Sequence, residues 1–343
     1  MDEPDPSALT PADAPQPPPA NIETQPSPRP PTTAETMFLG PDGLRSGWSL
    51  LLYLLMGVVV AAGFSLLLRI PGMPHFSKLW GFFVAECLSL AAAFVPAFIM
   101  AKIEKRPFGA YGLPVRETFG KLFWLGMLWG IVAITVLMLA MRASKAFYFG
   151  QLALNGSHII KFAIFWIVFF VIVGFFEEFL LRGYTQFTLT RGIGFWPAAV
   201  LLSAAFGAIH LGNKGEDIFG ALAAALIGLF FCLTLRRTGN LWFAVGLHAS
   251  WDWGETFLYS VPNSGTTAPG HLLNSSFQGP RWLTGGSVGP EASVFVFIVI
   301  ALMWLLFHWQ YPKAAVAQQT TNASAEPKNV GAGDSPAQVE AGS

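Results

Sequence analysis

Polar positions crowd at the two ends of the chain and recur at intervals between long apolar runs. Crossing a bilayer takes about 20 apolar residues. Eight runs reach or approach that length: residues 48–70, 79–101, 121–143, 160–181, 194–211, 218–235, 240–259 and 291–309. The fifth, sixth and seventh are shorter and glycine-rich. Each is expected to be a helix, because lipid offers no partner to an unpaired backbone group. No internal repeat is visible. The pattern predicts an all-α polytopic membrane protein of about eight transmembrane helices, with any active site inside the bundle.

The flanks read differently. Residues 1–45 are proline-rich and residues 313–343 are rich in Ala, Gln, Thr and Gly. Neither has enough apolar surface to offset the entropy of ordering, so both are expected to be disordered tails. That leaves 46–312 as the membrane domain. The first 36 residues lack the apolar and basic segments of a cleavable signal peptide.

Composition supports this division. Of 343 residues, 53% are hydrophobic and 12% charged, against about 25% charged in soluble domains. Lys+Arg and Asp+Glu both number 20, so no basic excess suggests a nucleic-acid partner. The two cysteines, Cys87 and Cys232, lie in apolar runs and suggest no disulfide framework. With the N-terminus cytoplasmic, 13 of the 20 Lys and Arg residues fall on the cytoplasmic side and 7 on the other. The positive-inside rule then puts both termini in the cytoplasm. Trp48, Trp80, Trp196, Trp242, Trp304 and Trp309 lie near span ends, as an aromatic belt requires.

Against this background, acids inside spans need individual explanation, because an ionisable group in a bilayer costs about 2.5–3.5 kcal/mol or more. Five qualify: Glu86, Glu177, Glu178, Asp252 and Glu255. Glu104, Glu117, Glu216, Asp217 and Glu291 are assigned to loops or span ends. On a helix, Glu178 and Arg182 stack at i, i+4 in the favourable order, while Glu177 points about 100° away and is left free. His210 ends the fifth span behind the small residues Ser203, Ala204, Ala205, Gly207 and Ala208, which permit close helix approach. His248 and Asp252 share a face of the seventh span, and Glu255 continues that polar stripe. Carboxylates with imidazoles are the parts needed to activate water and stabilise an oxyanion, and equally to bind a divalent metal. No His-Glu-x-x-His and no Gly-x-Ser-x-Gly elbow beside a His is present.

Glu177-Glu178-x-x-x-Arg182, Phe206-x-x-x-His210 and His248-x-x-x-Asp252, in that order, resemble the motifs of the CPBP family (CAAX protease and bacteriocin-processing, also Abi) of intramembrane proteases. The stretch Arg106–Leu113 resembles the lead-in of bacterial members, and the resemblance covers about residues 100–260. It implies an intramembrane endopeptidase acting on a membrane-associated protein or peptide. Carried over residue by residue, Glu177 and His210 would activate water. His248 and Asp252 would stabilise the oxyanion, and Glu178 and Arg182 would orient the site. Asp252 stands where the prenyl-protein proteases have Asn, and a carboxylate donates only when protonated, so orienting His248 or binding metal are alternative roles for it.

The resemblance leaves two cofactor readings open: a divalent metal such as zinc on Glu177, His210 and His248, or none. A bacterial plasma (inner) membrane location is expected, with a water-filled cavity opening to the cytoplasm and Gly174, Gly183 and Gly207 making room for it. A non-catalytic scaffold or immunity protein and an ion-coupled transporter are the alternatives. Glu86 fits none of the three motifs.

Overall fold

The computed structural model describes residues 32–40, 43–68 and 78–312. Most of the proline-rich segment, all of 313–343, and Arg29, Arg69, Lys313 and Lys328 of the charge count lie outside these residues. The elements in chain order are α1 (Thr33–Phe38), β1 (Leu39–Gly40), β2 (Gly43–Leu44), α2 (Ser46–Leu67), α3 (Lys78–Ile103), α4 (Lys121–Ala143), β3 (Phe147–Tyr148) and α5 (Ser157–Arg182). They continue with α6 (Tyr184–Ile193), α7 (Phe195–His210), α8 (Ile218–Thr238), α9 (Trp242–Trp253), a π-helical turn (Gly254–Leu258), β4 (Ser276–Phe277), α10 (Arg281–Thr284) and α11 (Val294–Gln310).

The described parts of the eight apolar runs are mainly helical, and the chain is an integral membrane protein with an all-α fold, but fewer of the runs than the expected eight make helices of spanning length, α9 having only 12 residues. Among the described residues, five helices are long and apolar enough to cross a membrane, while α7 and α11 are shorter apolar helices. Val58, Val59 and Leu66 of α2 are 65–69% exposed, as expected of a lipid-facing surface. Two further features depart from expectation. Residues 33–40 and 43–44, within the segment expected to be disordered, form α1 and the antiparallel pair β1–β2; Thr32 and Glu35 make a reciprocal capping box at the start of α1. The polar decapeptide Tyr184–Ile193 is a separate helix, α6, placed between two spans. By filling that interval it leaves α7 only 16 residues, about 24 Å of helix, less than the ~30 Å hydrocarbon core.

Helix α9 sits at the centre of the bundle. A Cβ on Gly126 or Gly130 of α4 would overlap the α9 carbonyls of Phe243 or Leu247, and one on Gly246 would overlap the Phe123 carbonyl of α4. Small residues at these points let the two backbones touch, the usual means of helix association in a membrane. Gly174 approaches the Val245 carbonyl of α9, and Gly207 lies against the Ala221 carbonyl of α8. A Cβ on Gly183 would overlap the Phe179 carbonyl, where α5 breaks into α6. These three glycines serve close packing and the helix break, correcting the expectation that they make room for a cavity.

The two ends of the bundle are tied separately. At the end bearing the last turn of α11, Leu241 N donates to Gly112 O at 2.8 Å, Trp242 Nε1 donates to Pro114 O at 3.3 Å, and Asn240 Nδ2 donates to Glu117 Oε2 at 2.6 Å. The lead-in segment before α4 is thus the seat of the α8–α9 turn. Arg237 reaches Pro312 O and His308 Nδ1 at the same end. At the opposite end, β3 pairs with β4, Leu152 bridges Leu273, and Arg281 pairs with Asp217 at 2.8 Å.

Candidate active site

The three motifs meet around His248. Its Nδ1 lies 2.9 Å from Glu178 Oε1, and its Nε2 lies 3.6 Å from Glu177 Oε2 and 3.5 Å from Asp252 Oδ2. A carboxylate oxygen accepts, so the Nδ1–H donates to Glu178. A ring whose two nitrogens both face carboxylate oxygens is arranged to donate from both. Phe231 stacks on the other side, with ring centroids 5.6 Å apart and planes at 10°. Adjacent residues on α5 therefore do different things: Glu178 is fully buried under the ring, and Glu177 is part-exposed beyond it.

Arg182 completes the buried side. Its Nη1 donates to Glu178 Oε1 at 3.3 Å, with both side chains fully buried. The guanidinium lies 4.6 Å over the Phe206 ring and 5.6 Å from the Phe231 ring, an arrangement favourable to a cation. A Cβ at position 228 would occupy the space of Arg182 Nη2, so Gly228 of α8 admits the guanidinium. Arg182 is thus an internal counter-ion to Glu178.

His210 is held differently. Its Nδ1 lies 2.8 Å from Phe206 O and its ring stands edge-on to Phe206 at 4.4 Å. A carbonyl only accepts, so Nδ1 carries the proton and Nε2 keeps its lone pair. His210, Glu177, His248, Asp252 and Glu86 all line one cavity of about 360 Å³, whose walls are otherwise mainly apolar and aromatic. That volume is in the usual range of ligand sites. His210 is the last residue of the short α7 and reaches the cavity from there.

The cavity wall also includes Asn213, Glu216, Asn263, Ser264, Thr266 and Glu291. These belong to the α7–α8 and α9–α11 connections, at the end of the bundle opposite the last turn of α11. The expected cytoplasmic mouth and the expected cytoplasmic C-terminus therefore cannot both hold. Burial, with Glu291 nearby, raises the pKa of Glu216 above the ordinary carboxylate range.

Nδ1 of His248 is engaged by Glu178, and Nδ1 of His210 by a backbone carbonyl, so each ring presents its Nε2 to the cavity. Among the described residues, the group of three side chains with ligand atoms all within 4.8 Å of one another is Asp252, Glu255 and Glu291, not Glu177, His210 and His248. From sequence Glu291 is a span-end acid, the first residue of the eighth run; only the return of the 261–290 segment brings it to Glu255.

One further cluster lies away from the cavity. Glu104, just after α3, accepts from Tyr111 Oη at 2.9 Å, Tyr184 Oη at 2.7 Å and Arg191 Nη2 at 3.0 Å. Burial acts to raise its pKa, but the two phenols and the guanidinium prevail and hold it below the ordinary carboxylate value.

Residues 159–254 match the family model for type II CAAX prenyl endopeptidases, Rce1-like. The match runs from α5 into the end of α9 and contains all three motifs, in agreement with the resemblance read from them. A comparison with curated proteins gives no match. At the family level the chain is thus similar to CAAX-type membrane proteases.

Proposed function

We propose that the chain is an intramembrane endopeptidase of the CAAX-protease type, with 46–312 as its proteolytic domain, hydrolysing a peptide bond in a membrane-associated protein or peptide. The observation that carries this reading is the divided use of His248: one ring nitrogen on the buried Glu178, the other towards Glu177 and Asp252 in the cavity. Nε2 of His210 accepts a hydrogen bond from a water molecule and orients it, and Glu177 takes its proton as it attacks the scissile carbonyl. The proton then passes to the leaving amine. The Nε2–H of His248 donates to the oxyanion of the tetrahedral intermediate. Glu178 and Arg182 fix the tilt of that ring, and Asp252 holds it from the cavity side rather than acting as an oxyanion donor.

The ligand atoms of Glu177, His210 and His248 do not form a group within 4.8 Å of one another as those of Asp252, Glu255 and Glu291 do, which supports a glutamate-type reading over a metalloprotease, and no step above needs a metal. The Lys and Arg asymmetry supports both termini being cytoplasmic, and the resemblance of the lead-in segment to bacterial members supports a bacterial plasma membrane. The mouth then faces the outer side, and the substrate is a peptide segment presented there. Purified full-length protein tested on membrane-proximal peptides should lose cleavage in Glu177→Ala, His210→Ala and His248→Ala. Cleavage at the wild-type rate in all three sinks the reading.

A further inference from the structure

Next to His248 three acids converge that proteolysis does not use fully: Asp252 and Glu291 line the cavity, and Glu255 lies buried beside them. Asp252 is the last motif residue, Glu255 lies in the π-helical turn one helical step later, and Glu291 comes from the turn before α11. Their ligand oxygens all lie within 4.8 Å of one another. Glu255 is fully buried, neither of its carboxylate oxygens has a well-formed hydrogen bond among the described residues, and the Trp251 side chain is a donor beside it. Glu291 is anchored by Ser264, whose N and Oγ donate to its Oε2 at 2.8 and 3.0 Å. Among the described residues, no Lys or Arg pairs with any of the three; the nearby Arg281 is taken by Asp217 and the Gly215 carbonyl.

Three converging carboxylates repel one another unless a proton or a cation lies between them, and the imidazole of His248 faces only Asp252. We propose that Asp252, Glu255 and Glu291 bind a hard divalent cation of the size of Ca²⁺, distinct from the hydrolytic centre. The donor set is oxygen only, the preference of Ca²⁺ and not of zinc. Oxygens bound to one Ca²⁺ at about 2.3–2.6 Å are separated by at most about 5 Å, which accommodates the observed spacing; Mg²⁺ at about 2.0–2.1 Å would need the cluster to contract. A π-helical turn widens the helix locally and is a frequent device at functional sites; here it brings Glu255 beside Asp252. The ion ties the 261–290 segment to α9 at the cavity mouth and fixes Asp252 against His248. Its role is in positioning, and it takes no part in water activation.

Full-length protein in detergent should bind Ca²⁺ saturably by calorimetry, at one ion per chain, and should show Tb³⁺ luminescence sensitised by the neighbouring Trp251. Glu255→Gln and Glu291→Gln should each weaken binding at least tenfold, and the rise in unfolding temperature on adding Ca²⁺ should disappear. Glu291 is half-buried on a turn, so its variant remains informative should Glu255→Gln fail to fold. Glu177→Gln should bind the ion as wild type does. Absence of saturable binding overturns the proposal. So does binding that survives Glu291→Gln, or that is abolished by His210→Ala, which would move the ion to the hydrolytic centre. These readouts require no substrate, so failure of the cation site and failure of the protease reading are separable.

Discussion

Glu104 and Glu255 are two carboxylates withdrawn from water, one at each end of the bundle, and their surroundings are opposite. Glu104 is met by two phenols and a guanidinium. Glu255 is sealed beside two further acids with no well-formed hydrogen bond among the described residues. An acid with a complete set of donors is a stable joint, here between α3, α6 and the lead-in segment. An acid left without a well-formed hydrogen bond, like Glu255 and like Oε2 of Glu86, stores a cost that structure alone does not explain. The difference separates joints from working groups more sharply than burial does. Glu178 shows the point from within the site: it is as buried as Glu255, yet Arg182 and His248 compensate it.

The comparison breaks most readily at the cavity. Glu177→Gln leaves the packing of α5 intact and should reduce cleavage by about 10²–10⁴-fold, with an unchanged unfolding temperature. A matching loss of stability would put Glu177 with the joints. Next in size, Arg182→Met strands Glu178 in the core and should destabilise the fold by about 3–5 kcal/mol, read as a lower unfolding temperature in detergent. Glu104→Gln removes the charge that three donors serve and should cost about 2 kcal/mol, while the activity of the remaining folded protein stays at the wild-type level. The smallest effect concerns pH. The folded-state pKa of Glu104 is depressed, so its contribution to stability is complete above the ordinary carboxylate range. It is lost as pH falls through the folded value. Acid unfolding of Glu104→Gln should accordingly be shallower than that of the wild type; an unchanged slope would deny the joint its electrostatic origin.

How much of this was readable in the sequence follows from the same physics. The membrane helices were, because apolar runs of spanning length have few other uses, and the three motifs sit on them at helical spacing. Helix α6 was not: Tyr184–Ile193 is too short and mixed to carry a span signal, and its helicity depends on packing between α5 and α7. The distinct roles of Glu177 and Glu178 followed from their 100° separation, but the second partner of Glu178, His248, lies 70 residues away. No local pattern brings those two together. Glu104 and Glu291 were set aside as loop or span-end acids for the same reason: each acquires its importance from residues distant in sequence. The motif glycines were misread because sequence shows a missing side chain but not which backbone fills the gap.

The central claim is that the group around His248 cleaves peptide bonds in the membrane through Glu177. The most direct measurement compares the new protein termini generated in cells carrying the wild-type chain with those in cells carrying Glu177→Gln, with Glu104→Gln at matched folded abundance as the control. The account predicts a set of termini from membrane-associated proteins that is present with wild type and with Glu104→Gln and absent with Glu177→Gln. Identical termini in all three, with the protein folded and present in the membrane, would contradict it.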